Sequence, residues 1–260
     1  MLSKLLKYEL KSSARTLIPL YIGILIVSLA CGFFVSSNID NTFWIEDSTI
    51  GALIMLLLFA LFIAMGVLTV VCIIQRFNQS LLGDEGFLMF TLPVSSTKLL
   101  WSKLLAALIW CILGGIVTCL SGVLIMSITF ITHPEFIQLE NFFNELQYLF
   151  SQLEINMMLA FIEMTIIGFL SIVVTILTAY LAMMIGQLQV FSKHRVAVSF
   201  IAFFLINWVF SWFIEPINRI MFQISPTGDV FFHIATATTI IETIILFFGV
   251  DFMMKRYLNL

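Results

Sequence analysis

Charge is scarce in this chain. Of its 260 residues only 10% are Asp, Glu, Lys or Arg, while 61% are hydrophobic. Soluble domains run near 25% charged and 45–50% apolar, so too little polar surface is present here to face water on all sides. Basic residues do not exceed acidic ones: 12 Lys and Arg stand against 15 Asp and Glu, which argues against a nucleic-acid partner. Metal-site spacing is lacking as well. Cys31, Cys72, Cys111 and Cys119 all fall inside apolar runs and read as small core hydrophobes. Catalytic signatures are missing. Without a Gly-x-x-x-x-Gly-Lys-Ser/Thr loop the chain cannot itself cradle ATP in the usual way. It has no His-Glu-x-x-His, and His133, His194 and His233 stand isolated near the ends of apolar runs. Nor is there a Gly-x-Ser-x-Gly nucleophile elbow. No catalytic residue, metal ligand or resident cofactor is therefore assigned, and the N-terminus shows no cleavage-site pattern of a removable signal peptide.

What the chain does have is long apolar runs. About 20 apolar residues at 1.5 Å rise each cross a hydrocarbon core roughly 30 Å thick. Six stretches qualify: 17–37, 51–74, 104–131, 155–186, 196–214 and 230–250. They are continuously apolar rather than alternating, which suits helices and not outer-membrane strands. The fold class is all-α, a polytopic membrane protein forming a single transmembrane domain over 1–260. Sidedness follows from the basic residues. Lys4, Lys7, Lys11, Arg15, Arg76, Lys98, Lys103, Lys193, Arg195, Lys255 and Arg256 fall on one side, and Arg219 alone on the other. Both termini are expected in the cytoplasm.

Several segments outside the spans have patterns of their own. Over 1–16, Lys4, Lys7, Lys11 and Arg15 form one helical stripe and Leu2, Leu5, Leu6 and Leu10 the opposing one. This predicts an interfacial helix lying against anionic lipid before the first span. The outer segment 132–154 places Leu139, Phe142, Phe143, Leu146, Leu149, Phe150 and Leu153 on one face, predicting an acidic amphipathic helix. In the third span Cys111, Gly115, Thr118 and Gly122 line up, and in the fourth Gly168, Ser171, Thr175 and Thr178. Such stripes of small residues are a helix-packing signal first.

The most informative stretch joins the second and third spans, 75–103. It contains Gly83-Asp84-Glu85-Gly86-Phe87-Leu88-Met89-Phe90-Thr91-Leu92-Pro93-Val94. An apolar cluster of Phe87, Leu88, Met89, Phe90 and Leu92 beside Asp84 and Glu85 has the make-up of a protein–protein contact. Pro93 ends whatever helix precedes it. This loop resembles that of the ABC-2 type permease subunits of bacterial ATP-binding-cassette exporters, and the resemblance extends over the basic N-terminus, the six spans and the cytoplasmic termini. It implies that residues around 79–93 form a cytoplasmic coupling helix, with Asp84, Glu85, Phe87, Leu88, Phe90, Leu92 and Pro93 facing a separate ATPase subunit. ATP and Mg would be bound by that partner. It further implies a second permease subunit, the same or homologous, a bacterial inner-membrane location, and a short outer re-entrant element over 215–229. Glu215-Pro216 and Ser225-Pro226 read as breaks there. The acidic outer segment departs from the family pattern and leaves the substrate open among peptide, drug and lipid.

Two carboxylates stand inside spans, Glu163 and Glu242. Intramembrane charge is expensive and by default marks a bundle interior or a wet cavity. Glu242 has Thr238, Thr239 and Thr243 as helix neighbours, and a neutral Glu242 satisfied by those hydroxyls would be purely structural. Two further readings therefore stand beside the exporter: a proton-coupled secondary carrier using Glu163 or Glu242, and a non-transporting membrane assembly factor.

Overall fold

In a bilayer every backbone N–H and C=O must find its partner within the chain, so long uncharged runs become helices. A computed structural model describes residues 2–37, 49–79, 96–132, 144, 147–148, 155–188, 194–224 and 229–257. Its six long helices are α1 (Leu2–Ser37), α2 (Thr49–Phe77), α3 (Ser96–Thr132), α4 (Ile155–Gly186), α5 (Arg195–Ile224) and α6 (Asp229–Tyr257). Each is long and apolar enough to cross a membrane. At 29 to 37 residues they measure about 44–56 Å, well beyond the hydrocarbon thickness. The helices outrun the apolar stretches because the helical bonds continue into the polar flanks. Thus α3 begins at Ser96, not 104, and takes in Lys98 and Lys103.

The segment read as an interfacial helix, 1–16, is continuous with the first span, and α1 runs unbroken to Ser37. Nothing in Ser12-Ser13-Ala14-Arg15-Thr16 disfavours a helix strongly enough to stop it. Pro19 removes only the one bond that its missing N–H would have given the Arg15 carbonyl. Likewise Pro216 does not start a re-entrant turn, because α5 continues through it to Ile224. Ser211 Oγ donates to Glu215 Oε1 at 3.2 Å, one turn on and next to the proline. Ser225-Pro226 lies outside the described residues, as do 80–95 of the coupling loop and nearly all of the outer amphipathic segment.

The chain divides into two compact units. One comprises Lys7–Ile73 and Ile109–Gln152. Here Tyr21 Oη donates to the Trp110 carbonyl at 3.2 Å, Gly32 lies against Ile125 and Ile128, and Ser36 bonds Thr132. The contacts advance in step along both helices, so α1 and α3 run parallel. Cys31 on α1 meets Met55 on α2, and Met65 of α2 lies by Gly114 of α3, so α2 runs back between them in sequence and direction. A core of Leu17, Tyr21, Ile24, Cys72, Trp110 and Val117 fills this unit. A methyl at Gly32 would come within 3.2 Å of the Ile125 Cα, so α3 would have to give way by a few tenths of an ångström to admit it. The expected small-residue stripe is not the seam. Gly115, Gly122 and Gly168 have nothing within 4 Å of a built Cβ, whereas Trp110, Gly114, Val117 and Ser121 face inward or pack.

The second unit comprises Met1–Leu6, Ile74–Leu108 and Leu153–Leu260. Glu163 on α4 meets His233 on α6, and a Cβ added at Gly249 would lie 3.8 Å from the Leu181 methyls. The numbers again rise together, so α4 and α6 are a parallel pair. α5 returns between them in chain order and is scarcely covered by the rest of the unit. Gly186, the last residue of α4, lies so close to the Arg195 carbonyl at the start of α5 that a Cβ would sit 2.6 Å from it.

Candidate functional site

The α4–α6 seam carries the polar groups. Glu163 stands in the third turn of α4 and His233 in the second turn of α6, and the parallel packing brings them face to face. Glu163 Oε1 and His233 Nδ1 form a hydrogen bond, with the carboxyl side chain 18% exposed and the imidazole 59%. A ring protonated at Nδ1 donates to the carboxylate, and a doubly protonated ring adds an ion pair. Either arrangement lowers the cost of holding a carboxyl in the membrane. Thr236 Oγ1 donates to the His233 carbonyl at 2.7 Å and continues the polar stripe along α6.

Sequence reasoning singled out Glu163 but left His233 isolated. The signal was depth. Two helices of the same direction that begin at Ile155 and Asp229 bring Glu163 and His233 to within a turn of the same height. Glu242 is different. Half-buried on α6, it has no hydrogen-bond or ion-pair partner among the described residues. The threonines expected to satisfy it bond their own helix instead: Thr239 donates to the Ala235 carbonyl at 2.6 Å and Thr243 to that of Thr239 at 2.8 Å. Hydroxyls inside a helix commonly take this i−4 carbonyl.

The expected ATPase-facing residues, Asp84, Glu85, Phe87, Leu88, Phe90, Leu92 and Pro93, lie outside the described residues, but the two roots of their segment do not. At the end of α2, Phe77 is 1% exposed and stacks on Tyr180 of α4, with ring centroids 4.0 Å apart and planes 13° from parallel. Asn78 Oδ1 accepts from Gln187 Nε2 at 3.5 Å. At the start of α3, Leu99, Leu100 and Leu104 are buried and the Lys103 carbonyl accepts from Tyr180 Oη at 3.5 Å. Trp101 packs on Phe247 of α6 with centroids 5.2 Å apart. Nearby on α6, the buried carboxylate of Asp251 accepts from Lys255, four residues on.

Among the described residues no group of three or more His, Cys, Asp or Glu could hold a metal ion. Among the described residues no hydroxyl or thiol hydrogen-bonds the Glu163 or His233 side chain. No family model, no curated protein and no solved structure matches this chain.

Proposed function

We propose that this protein is the membrane subunit of a bacterial ATP-binding-cassette exporter. In this reading two such subunits, identical or homologous, form the pathway, and separate ATPase subunits bind ATP and Mg. The observation that carries the reading is the 83–94 sequence, an apolar cluster rimmed by Asp84 and Glu85 on the connection between α2 and α3. A connector needs only about two to eight residues. The basic bias of that side puts the connection and both termini in the cytoplasm of a cell whose inner membrane holds the six helices. An apolar lumen accepts a peptide, a drug or a lipid.

Buried aromatic anchors dominate such contacts, and rim charges tune orientation. Phe87→Ala and Phe90→Ala should therefore weaken the ATPase complex by about 1–3 kcal/mol each, more than Asp84→Ala does. Recovery of the ATPase with each tagged variant from membranes, at matched expression, measures this. Full recovery with the double Phe variant would reduce the segment to a connector and remove the main support for an exporter. A second reading, a proton-coupled carrier, is favoured by one observation, the Glu163–His233 pair within the seam. Transport that persists without any ATPase and collapses in Glu163→Gln would support it.

A further inference from the structure

Both roots of the 80–95 segment converge on one side chain. Tyr180 is 2% exposed. Its ring covers Phe77, the last residue of α2, while its hydroxyl reaches the Lys103 carbonyl in the second turn of α3. Just past the end of α4, Gln187 holds Asn78. The neighbouring residue, Leu181, packs on Gly249 of α6, and Trp101 from the α3 root meets Phe247 of that helix. Close-packed interiors pass strain on rather than absorbing it.

From this we infer that Tyr180 is a positioning residue that ties both roots of the 80–95 segment to α4, so that displacement of the segment is carried into the α4–α6 pair. The tie itself is a property of this chain alone. Its use in transmitting the motion of an ATPase rests on the exporter reading above. Neither Phe77 nor Lys103 could serve in its place, because each belongs to one root only.

Three variants separate the contacts. Tyr180→Phe keeps the stack and removes the hydroxyl, Phe77→Leu removes the stack and keeps the hydroxyl, and Tyr180→Leu removes both. Hydrogen exchange on the purified chain in lipid nanodiscs reads the tie. Tyr180→Phe should speed exchange over 99–103 and leave 74–78 unchanged, and Phe77→Leu should do the reverse. Tyr180→Leu should speed both, by about tenfold where local opening is what limits exchange. Unchanged exchange at both roots in Tyr180→Leu, or the same pattern in all three variants, overturns the tie. Transmission is read in the complex with its ATPase. Met158, exposed near the far end of α4, is replaced by cysteine in a cysteine-free background and labelled with an impermeant maleimide, with and without ATP and vanadate. The Tyr180→Leu complex should keep its ATPase but lose the nucleotide-dependent change in labelling that Tyr180 confers. Retention of that change overturns transmission. If the unmodified chain recovers no ATPase, the exporter reading falls and transmission with it, while the exchange pattern still decides the tie.

Discussion

Glu163 and Tyr180 stand on the same helix about 26 Å apart, and the two ends of α4 are held in opposite ways. At the Tyr180 end an aromatic ring is sealed between two other helices, and Phe77, Leu177 and Leu246 nearby are at most 1% exposed. At the Glu163 end a hydrogen-bonded pair joins α4 to α6, with the imidazole largely open. Lipid tails are as apolar as leucine, so within a membrane burying a side chain gains its stability from packing and not from leaving water. A well-packed aromatic cluster is therefore stiff, whereas one polar pair is a weak tie that holds only as long as its partners stay aligned. The difference sets an expectation: the helix is anchored at the Tyr180 end and parts more readily at the Glu163 end.

The largest effect expected from breaking this contrast is at the anchored end. Phe77→Ala opens a cavity under Tyr180 and removes a stack at 4.0 Å. Its cost should lie at the low end of the roughly 3–5 kcal/mol seen for buried aromatic truncations, since lipid replaces water in part of the reference state. Thermal unfolding in detergent, followed by near-ultraviolet signals of Tyr180 and Trp101, measures it. A loss no greater than that of an exposed Phe, such as Phe204→Ala on α5, would mean that the stack does not anchor the helix.

A smaller effect comes from the turn that ends α4. A Cβ at Gly186 would meet the Arg195 carbonyl at 2.6 Å as well as Ser199 Oγ at 2.0 Å, and a backbone carbonyl cannot swing aside as a serine can. Gly186→Ala should cost about 1–3 kcal/mol, the range for overpacking. On the same helix, Gly168→Ala meets nothing within 4 Å and should stabilise by up to about 1 kcal/mol through helix propensity. Unfolding midpoints of the two variants, compared in one detergent, sharpen the contrast between the ends. Equal shifts would remove it.

Number and class of helices were legible in the sequence because a run of 20 or more apolar residues has no other soluble or membrane-spanning form open to it. Rotation about the helix axis was not. The expected stripe on α3 was Cys111, Gly115, Thr118 and Gly122, but the packed residues are Trp110, Gly114, Val117 and Ser121, one position back. One residue is a turn of about 100° about the axis, and composition alone does not say which of two adjacent stripes meets a neighbour. Pro216 was misleading for a related reason: it costs one backbone bond, while the turns on both sides retain theirs. Tyr180 escaped notice because nothing in its own neighbourhood, Leu177-Thr178-Ala179-Tyr180-Leu181, distinguishes it from any lipid-facing aromatic. Its two partners are supplied by distant parts of the chain, as His233 is for Glu163.

The smallest expected effect concerns that last pair, and it decides how loose the Glu163 end is. Interhelical hydrogen bonds in membranes average about 0.6 kcal/mol and reach about 1.7, because the separated helices find other partners. A double-mutant cycle of Glu163→Gln and His233→Phe should give a coupling energy within that range, well below the cost of Phe77→Ala. Glu242→Gln supplies the internal reference. Glu242 has no partner among the described residues, so its amide isostere should change stability by no more than about 0.5 kcal/mol. Denaturation of all five proteins, the four of the cycle and Glu242→Gln, by graded dodecyl sulfate in mixed micelles measures both quantities on one scale. A coupling energy of several kcal/mol would make the Glu163 end as firm as the Tyr180 end. The seam would then be a rigid rod, and any motion of α4 would have to occur as a whole-body shift of the pair.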